Sequence, residues 1–140
     1  MKRSMVLVLA VFAASSSISA RLGDSGDQIE DSYGTIVQRR LLDDGRVTVV
    51  YRKEGSLFFV TFANGRSISE GYSHVKGTDL SEREIAKFLK ANSAGSTWMS
   101  DNTGGKRHFK RSDGKAEATY ATANGRPTLT VREVHATSSH

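Results

Sequence analysis

Residues 57–66 read Leu-Phe-Phe-Val-Thr-Phe-Ala-Asn-Gly-Arg, and this stretch decides the predicted fold. The first six residues are all apolar except Thr61. A strand formed by them would therefore have apolar side chains on both faces, which is typical of a strand inside a sheet. Asn64-Gly65 follows, and such a pair supplies the positive φ angles that a tight hairpin turn requires. The segment therefore predicts a central antiparallel strand that turns back directly into its neighbour.

The same pattern, a strand-like run followed by a glycine turn, recurs along the chain. Asp44-Gly45, Asp113-Gly114 and Asn124-Gly125 carry the turn signal, and Glu54-Gly55 carries a weaker form of it. Turns spaced about ten residues apart are typical of antiparallel strands. The runs predicted as strands are residues 35–42, 46–52, 56–63, 66–73, 97–100, 106–111, 115–122 and 127–133.

A short helix is predicted before each set of four strands. In the second helix Ser81 and Glu84 form a capping box, and an apolar stripe follows at helical spacing. The stripe consists of Ile85, Phe88 and Leu89. The first helix is predicted from a polar cap at Asp24 or Ser25 and from Gly34, which can close it.

These elements predict an α+β domain over residues 21–136. Its two halves, each a helix followed by four strands, form an antiparallel sheet with the helices packed on one face. The halves, residues 22–76 and 77–136, align at an offset of about 60, with Asn-Gly-Arg at 64–66 matching Asn-Gly-Arg at 124–126. Such an alignment indicates either an internal duplication or two similar halves of separate origin.

The N-terminal segment, residues 1–20, has the order of regions found in a secretory signal. Lys2 and Arg3 precede an apolar run over residues 5–14, and small residues follow. The run is half the length of the ~20 residues that cross a bilayer. We therefore expect an exported chain, periplasmic or secreted, with no transmembrane segment after the signal is removed. The alternative is a buried N-terminal element, and residues 137–140 are expected to be a flexible tail.

The composition limits the kinds of partner. The sequence has 20 basic and 15 acidic residues, a formal net charge of +5. Removal of residues 1–20 takes away Lys2 and Arg3 and no acid, which leaves +3. So mild a charge on an exported chain argues against a nucleic-acid partner. Since the chain has no cysteine, it has no disulfide and no lipid-attachment cysteine, and its fold must rest on its core.

The segment over residues 24–72 resembles a known family. A polar helix start leading to Tyr33-Gly34, and the apolar run 57–62 ending in Asn-Gly-Arg, are similar to the β-lactamase-inhibitor-protein fold. They are also similar to the small lipoprotein of the outer-membrane barrel-assembly machine, which has a single related unit. The resemblance implies a helix followed by a four-stranded meander. This chain lacks both the lipidated cysteine of the lipoprotein and the disulfides of the inhibitors, so the resemblance implies neither function.

No motif for catalysis or metal binding stands out in the sequence. The four histidines, His74, His108, His135 and His140, do not have metal-ligand spacing on one element. Nucleophile motifs and phosphate-binding glycine loops are also absent from the sequence. We therefore expect no catalytic residue, no cofactor and no metal.

Six residues are candidates for a binding surface. They are Phe58, Tyr72, Trp98, Arg107, Lys110 and Arg111. The basic run at 106–111 indicates an anionic partner, or alternatively a charged edge strand that resists aggregation. The aromatic rings are either binding anchors or core residues.

The function predicted from these features is that of a non-catalytic exported envelope protein. It would bind another protein or an anionic surface through the open face of the sheet, the side without the helices, or associate with a second copy there, because apolar residues fill both sides of the run 57–62. One side of that run must meet the helices, and the other must be covered by a loop, a partner or another copy. The alternatives are a small periplasmic enzyme with an unrecognised site and a structural envelope accessory.

Overall fold

The structure, a computed structural model, describes residues 21–102 and 106–134. The predicted signal segment at residues 1–20, the predicted tail, and His135 and His140 lie outside the described residues. Neither helix in the described ranges is long and apolar enough to cross a membrane.

One eight-stranded antiparallel sheet forms the body of the fold, with a helix before each set of four strands. The first half consists of α1 (Gly26–Tyr33), β1 (Thr35–Leu41), β2 (Val47–Lys53), β3 (Ser56–Ala63) and β4 (Arg66–His74). The second half consists of α2 (Glu82–Ala91), β5 (Trp98–Asp101), β6 (Arg107–Arg111), β7 (Ala116–Ala123) and β8 (Arg126–Glu133). The strand order is β1-β2-β3-β4-β8-β7-β6-β5, so two four-stranded meanders join where β4 pairs with β8.

The predicted α+β class is wrong. Strands make up 51% of the described residues and helices only 16%, so this is a mostly-β fold rather than balanced layers of sheet and helix. The reason is the length of the helices, 8 and 10 residues. At 1.5 Å per residue they extend ~12 and ~15 Å. Eight strands spaced ~4.8 Å apart make a sheet far wider than that.

The core forms on the side of the sheet that alternate strand residues share with the two helices. Val60 and Phe62 of β3 lie on that side and are buried, whereas Leu57 and Phe59 face the opposite side and are half-buried. β3 pairs with β2 and β4, which confirms the prediction of a central strand over 57–62. The buried cluster contains Ile29, Tyr33, Val49, Tyr51, Val60, Phe62, Leu80, Ile85, Phe88, Leu89, Phe109, Ala118, Leu129 and Val131.

The start of α2 has the predicted capping box. Ser81 Oγ accepts a hydrogen bond from the Glu84 N–H at 3.0 Å, and Glu84 Oε1 accepts one from the Ser81 N–H at 2.8 Å. Leu80 and Ile85 on either side of the cap are both buried. The cap therefore holds both the direction of the helix and the position of the Glu84 carboxylate.

We expect Ser81→Ala to lower the free energy of unfolding by about 1 kcal/mol, because the N–H of Glu84 loses its acceptor. Urea denaturation of the variant measures this loss. Ser100→Ala, at an exposed position of β5, is the control and should change the midpoint little. Equal midpoints for the two variants would contradict the role of the cap.

Candidate functional site

A row of four aromatic rings crosses the sheet between the two helices. Phe58 and Tyr72 are cross-strand partners on β3 and β4, and their rings stack with centroids 5.2 Å apart. Tyr33, the last residue of α1, stacks on the other side of Phe58 at 4.0 Å with an interplanar angle of 2°. Phe88 of α2 completes the row, 5.3 Å from Tyr72. Residues from four separate elements thus form one aromatic surface.

This row lines a depression of about 300 Å³, which we call the aromatic groove. The groove is lined by Ser32, Tyr33, Lys53, Phe58, Tyr72, Glu84, Lys87, Phe88 and Ala91. The rings of Phe58 and Tyr72 are half-buried, whereas Tyr33 and Phe88 are buried in the walls. The sheet therefore presents its aromatic side chains to solvent in the gap between the helices.

The start and the end of α1 fix the position of Tyr33. Ser25 and Gln28 form a capping box at the start of the helix, and Gly34 closes it with φ 93° and ψ −141°. A side chain at Gly34 would meet the backbone of β2, since an added Cβ would lie 2.6 Å from Arg52 O. The glycine therefore lets the chain pass tightly from α1 into β1 and keeps Tyr33 over Phe58.

The Tyr33 side chain, which forms one wall of the groove, is hydrogen-bonded to the buried carboxyl group of Glu70. The Tyr33 hydroxyl donates to Glu70 Oε1 at 2.6 Å, and Ser67 Oγ lies 2.8 Å from Glu70 Oε2. Glu70 is fully buried, and this burial raises its pKa to about 7 despite the two hydrogen bonds. Burial, followed by the nearby Glu70, also raises the pKa of the Tyr33 hydroxyl well above its ordinary value.

At the opposite end of the groove lies the carboxylate of Glu84, which accepts hydrogen bonds from three other residues. Glu84 accepts hydrogen bonds from the Ser81 N–H, from His74 Nε2 at 2.9 Å and from the Tyr72 hydroxyl at 3.2 Å. Partial burial would raise the pKa of Glu84, but these bonds outweigh it and hold the pKa below its ordinary value. His74 Nδ1 is in turn 2.7 Å from Thr78 Oγ1. His74 therefore links the loop after β4 to the start of α2 through both ring nitrogens.

Two of the six predicted binding residues, Phe58 and Tyr72, come together in the groove. Two others pack around the end of α2. Trp98 Nε1 donates to Leu89 O at 2.7 Å, and Arg111 Nη1 donates to Asn92 O at 2.8 Å. The structure uses Trp98 and Arg111 to hold the end of this helix to β5 and β6.

The structure divides the predicted basic surface between the two sides of the sheet. Arg107 lies on the helix side, where it binds Glu82 of α2 at 2.7 Å and lies over the Phe109 ring. Lys110 is exposed on the opposite side, where its register partner is Glu117. The basic residues of β6 therefore do not form one continuous patch.

Sequence reasoning missed several groove residues, namely Tyr33, Lys53, Glu84, Lys87, Phe88 and Ala91, as binding residues. It placed Phe88 on an apolar helix stripe and Tyr33 directly before the glycine that closes α1, but it carried no signal that the two would line one groove. It also missed Glu70. A signal was available there, because strand alternation puts Glu70 on the same side of β4 as Tyr72.

Comparison with known proteins does not assign the chain to a family. No protein-family model matches the chain, and no curated protein resembles it closely enough in sequence to count as a relative. A cysteine-rich secretory protein (SAV1118) from Staphylococcus aureus subsp. aureus Mu50 resembles it in structure with a TM-score of 0.43 and 14% identity. The match covers 81% of this chain and 44% of that one, so this chain spans less than half of that protein's length. A likeness at this level does not assign the chain to the family of that protein.

Proposed function

We propose that this chain is an exported, non-catalytic binding protein of the cell envelope, periplasmic or secreted. Its binding site is the aromatic groove, which holds an aromatic side chain from a segment of a partner protein. The observation that carries this proposal is the row of four rings between the helices, in which Phe58 and Tyr72 stay half-exposed. Export rests on the composition of residues 1–20.

The size and the lining of the groove support a side chain as the occupant. A volume of about 300 Å³ lies at the lower end of the range for ligand sites, which suits one large side chain. Aromatic surface that stays partly exposed in a folded protein is characteristic of recognition sites, since rings give large contact area at low entropic cost. The proposed binding face is thus the part of the sheet between the helices, and not the helix-free side expected from the sequence.

The alternative of a small envelope enzyme has less support. The His74 and Glu84 pair is the arrangement closest to an acid–base site among the groove residues and their neighbours, and both ring nitrogens of His74 are already engaged. We also propose, on the resemblance of residues 24–72, that the chain shares the β-lactamase-inhibitor-protein fold.

We expect Ala91→Phe to weaken binding of the probe N-acetyltryptophanamide about tenfold, or about 1.4 kcal/mol. Ala91 ends α2 and lines the groove, so a phenyl ring there would fill the space without changing the core. An NMR titration measures the affinity and locates the probe through the amide signals of β3, β4 and α2.

Ala123→Phe makes the same change at an exposed position of β7 and should leave the affinity unchanged. If the probe instead shifts the signals of Val50 and Phe59, on the other side of the sheet, the binding site lies there and the groove proposal is wrong.

A further inference from the structure

Two lysines stand at the rim of the aromatic groove, and neither has a carboxylate partner. Lys53 at the end of β2 donates from Nζ to Ser32 O at 3.1 Å, which uses one of its three N–H donors. Lys87 is exposed on α2, one turn before Ala91. Among the ion pairs of the described residues, none includes Lys53 or Lys87. Both ammonium groups are therefore available to a ligand.

The single acid that lines the groove does not cancel this charge. The Glu84 carboxylate already accepts hydrogen bonds from Ser81, His74 and Tyr72. Its charge is directed at the start of its own helix and at the imidazole, where it is stabilised. A ligand in the groove therefore meets a net positive rim.

The aromatic floor favours the same kind of ligand. Tyr33, Phe58 and Tyr72 lie nearly parallel, with interplanar angles of 2° and 8°, so each ring turns its faces to its neighbours. Phe58 has a ring stacked on each face, so the part of it that meets a ligand is its edge, which carries the positive part of the aromatic quadrupole. Ring edges attract the face of another aromatic ring in an edge-to-face contact, and they also tolerate a nearby anion.

From these observations we infer that the occupant of the groove is an aromatic residue of a partner protein with an acidic residue directly beside it. The aromatic ring rests on the edges of Phe58 and Tyr72, and the carboxylate pairs with Lys87, with Lys53 on the opposite rim. This inference rests on the proposed function and adds the charge of the ligand. A recessed groove flanked by two cations fits a side chain of a protein segment better than a flat anionic membrane.

The test uses two peptides that differ in one charge, acetyl-Gly-Trp-Glu-Gly-amide and acetyl-Gly-Trp-Gln-Gly-amide. We expect the acidic peptide to bind the full mature chain about threefold more tightly at low salt, as suits an exposed ion pair. The difference should vanish at 0.5 M NaCl, because exposed charges are screened. Lys87→Gln should abolish the difference in affinity between the two peptides.

Lys110→Gln is the matched control, because it removes the same charge from an exposed lysine on the other side of the sheet. It should keep the preference for the acidic peptide. Equal affinities of the wild-type chain for the two peptides, or a preference that survives Lys87→Gln, would overturn the inference while leaving binding in the groove intact. If neither peptide binds, the proposed function itself fails. Binding to phosphatidylglycerol vesicles that is lost in Lys87→Gln, without peptide binding, would overturn the inference in favour of a membrane surface.

Discussion

Glu70→Gln is expected to stabilise the protein by about 3 kcal/mol at pH 8 and to change its stability little at pH 4. Burial raises the pKa of Glu70 from its ordinary 4.5 to about 7 in the folded protein. The native state thus keeps a proton that the unfolded chain releases. The stabilisation from this group is complete below pH 4.5 and is lost as the pH rises through 7. The difference between the two pKa values, at about 1.36 kcal/mol per pH unit, gives the expected size.

The hydrogen bonds around Glu70 give an independent reason to expect a neutral side chain there. Ser67 Oγ has one proton, yet it lies 2.8 Å from Glu70 Oε2 and 3.2 Å from Arg21 O, and it also accepts from the Gly23 N–H. If Glu70 is ionised, one of the two acceptors lacks a proton. If Glu70 is protonated, it donates to Ser67, and Ser67 can donate to Arg21 O. A glutamine amide can make the same donation at every pH.

A neighbouring charge acts in the same direction as burial, because Asp24 raises the pKa of Glu70 further. None of the groups that shift the pKa of Glu70 is a cation. The ionised form is therefore left with hydrogen bonds alone in a buried site, which is an unfavourable state for a carboxylate.

Urea denaturation of the wild type and of Glu70→Gln at pH 4, 6 and 8 measures the effect, and the difference between the two proteins isolates the contribution of residue 70. Glu54→Gln, at an exposed turn, is the control and should follow the wild type at each pH. A wild-type profile that runs parallel to that of Glu70→Gln would show that Glu70 does not titrate in this range.

Gly34→Ala is expected to destabilise the protein by about 3 kcal/mol or more. Two effects add at this position. At φ 93° and ψ −141° Gly34 lies outside the regions open to residues with a Cβ, so a side chain there is strained by at least about 1–2 kcal/mol. The new methyl group would also lie 2.6 Å from Arg52 O and 3.0 Å from Lys53 Cβ, so β2 or the end of α1 would have to move. Either movement displaces Tyr33 from Phe58.

Gly45→Ala separates the two effects. Gly45 has φ 90°, close to that of Gly34, but an added Cβ at Gly45 would meet nothing within 4 Å. This variant should lose only the 1–2 kcal/mol of backbone strain. Thermal and urea denaturation of the two variants give the comparison, and N-acetyltryptophanamide should bind Gly45→Ala normally and Gly34→Ala weakly. Equal losses of stability in the two variants would mean that the backbone of β2 at Arg52 moves away from the new methyl group at little cost.

The hairpins and the caps follow from the sequence because each depends on residues close together in the chain. Asn64 and Gly65 adopt φ angles of 54° and 78°, and Asn124 and Gly125 adopt 54° and 77°, as the turn pairs predicted. Ser81 caps α2 as predicted, and of the two candidate caps for α1 the structure uses Ser25. A positive φ angle or a cap is decided within about four residues, so a single sequence is enough to predict it.

The proportion of helix to strand could not be predicted from the sequence in the same way. The sequence placed the helices correctly, but it gave no measure of how little of an eight-stranded sheet two short helices can cover. The sequence also did not predict how the strands of the two halves align with each other. That register is set by the pairing of β4 with β8, in which Glu70 lies opposite Val131 and Tyr72 opposite Leu129. Whether the two halves arose by duplication stays a prediction.

The sequence by itself therefore determined the strands, the turns, the caps and the side of β3 that each residue faces. The tertiary structure alone decided that Tyr33, Phe58, Tyr72 and Phe88 meet in one groove. The physical reason is the range of the interactions. Hydrogen bonds and φ preferences act along a few neighbouring residues, whereas a groove depends on which strands pair and on where two helices end above them. A ring at residue 33 and another at residue 88 carry no local sign that they share a site.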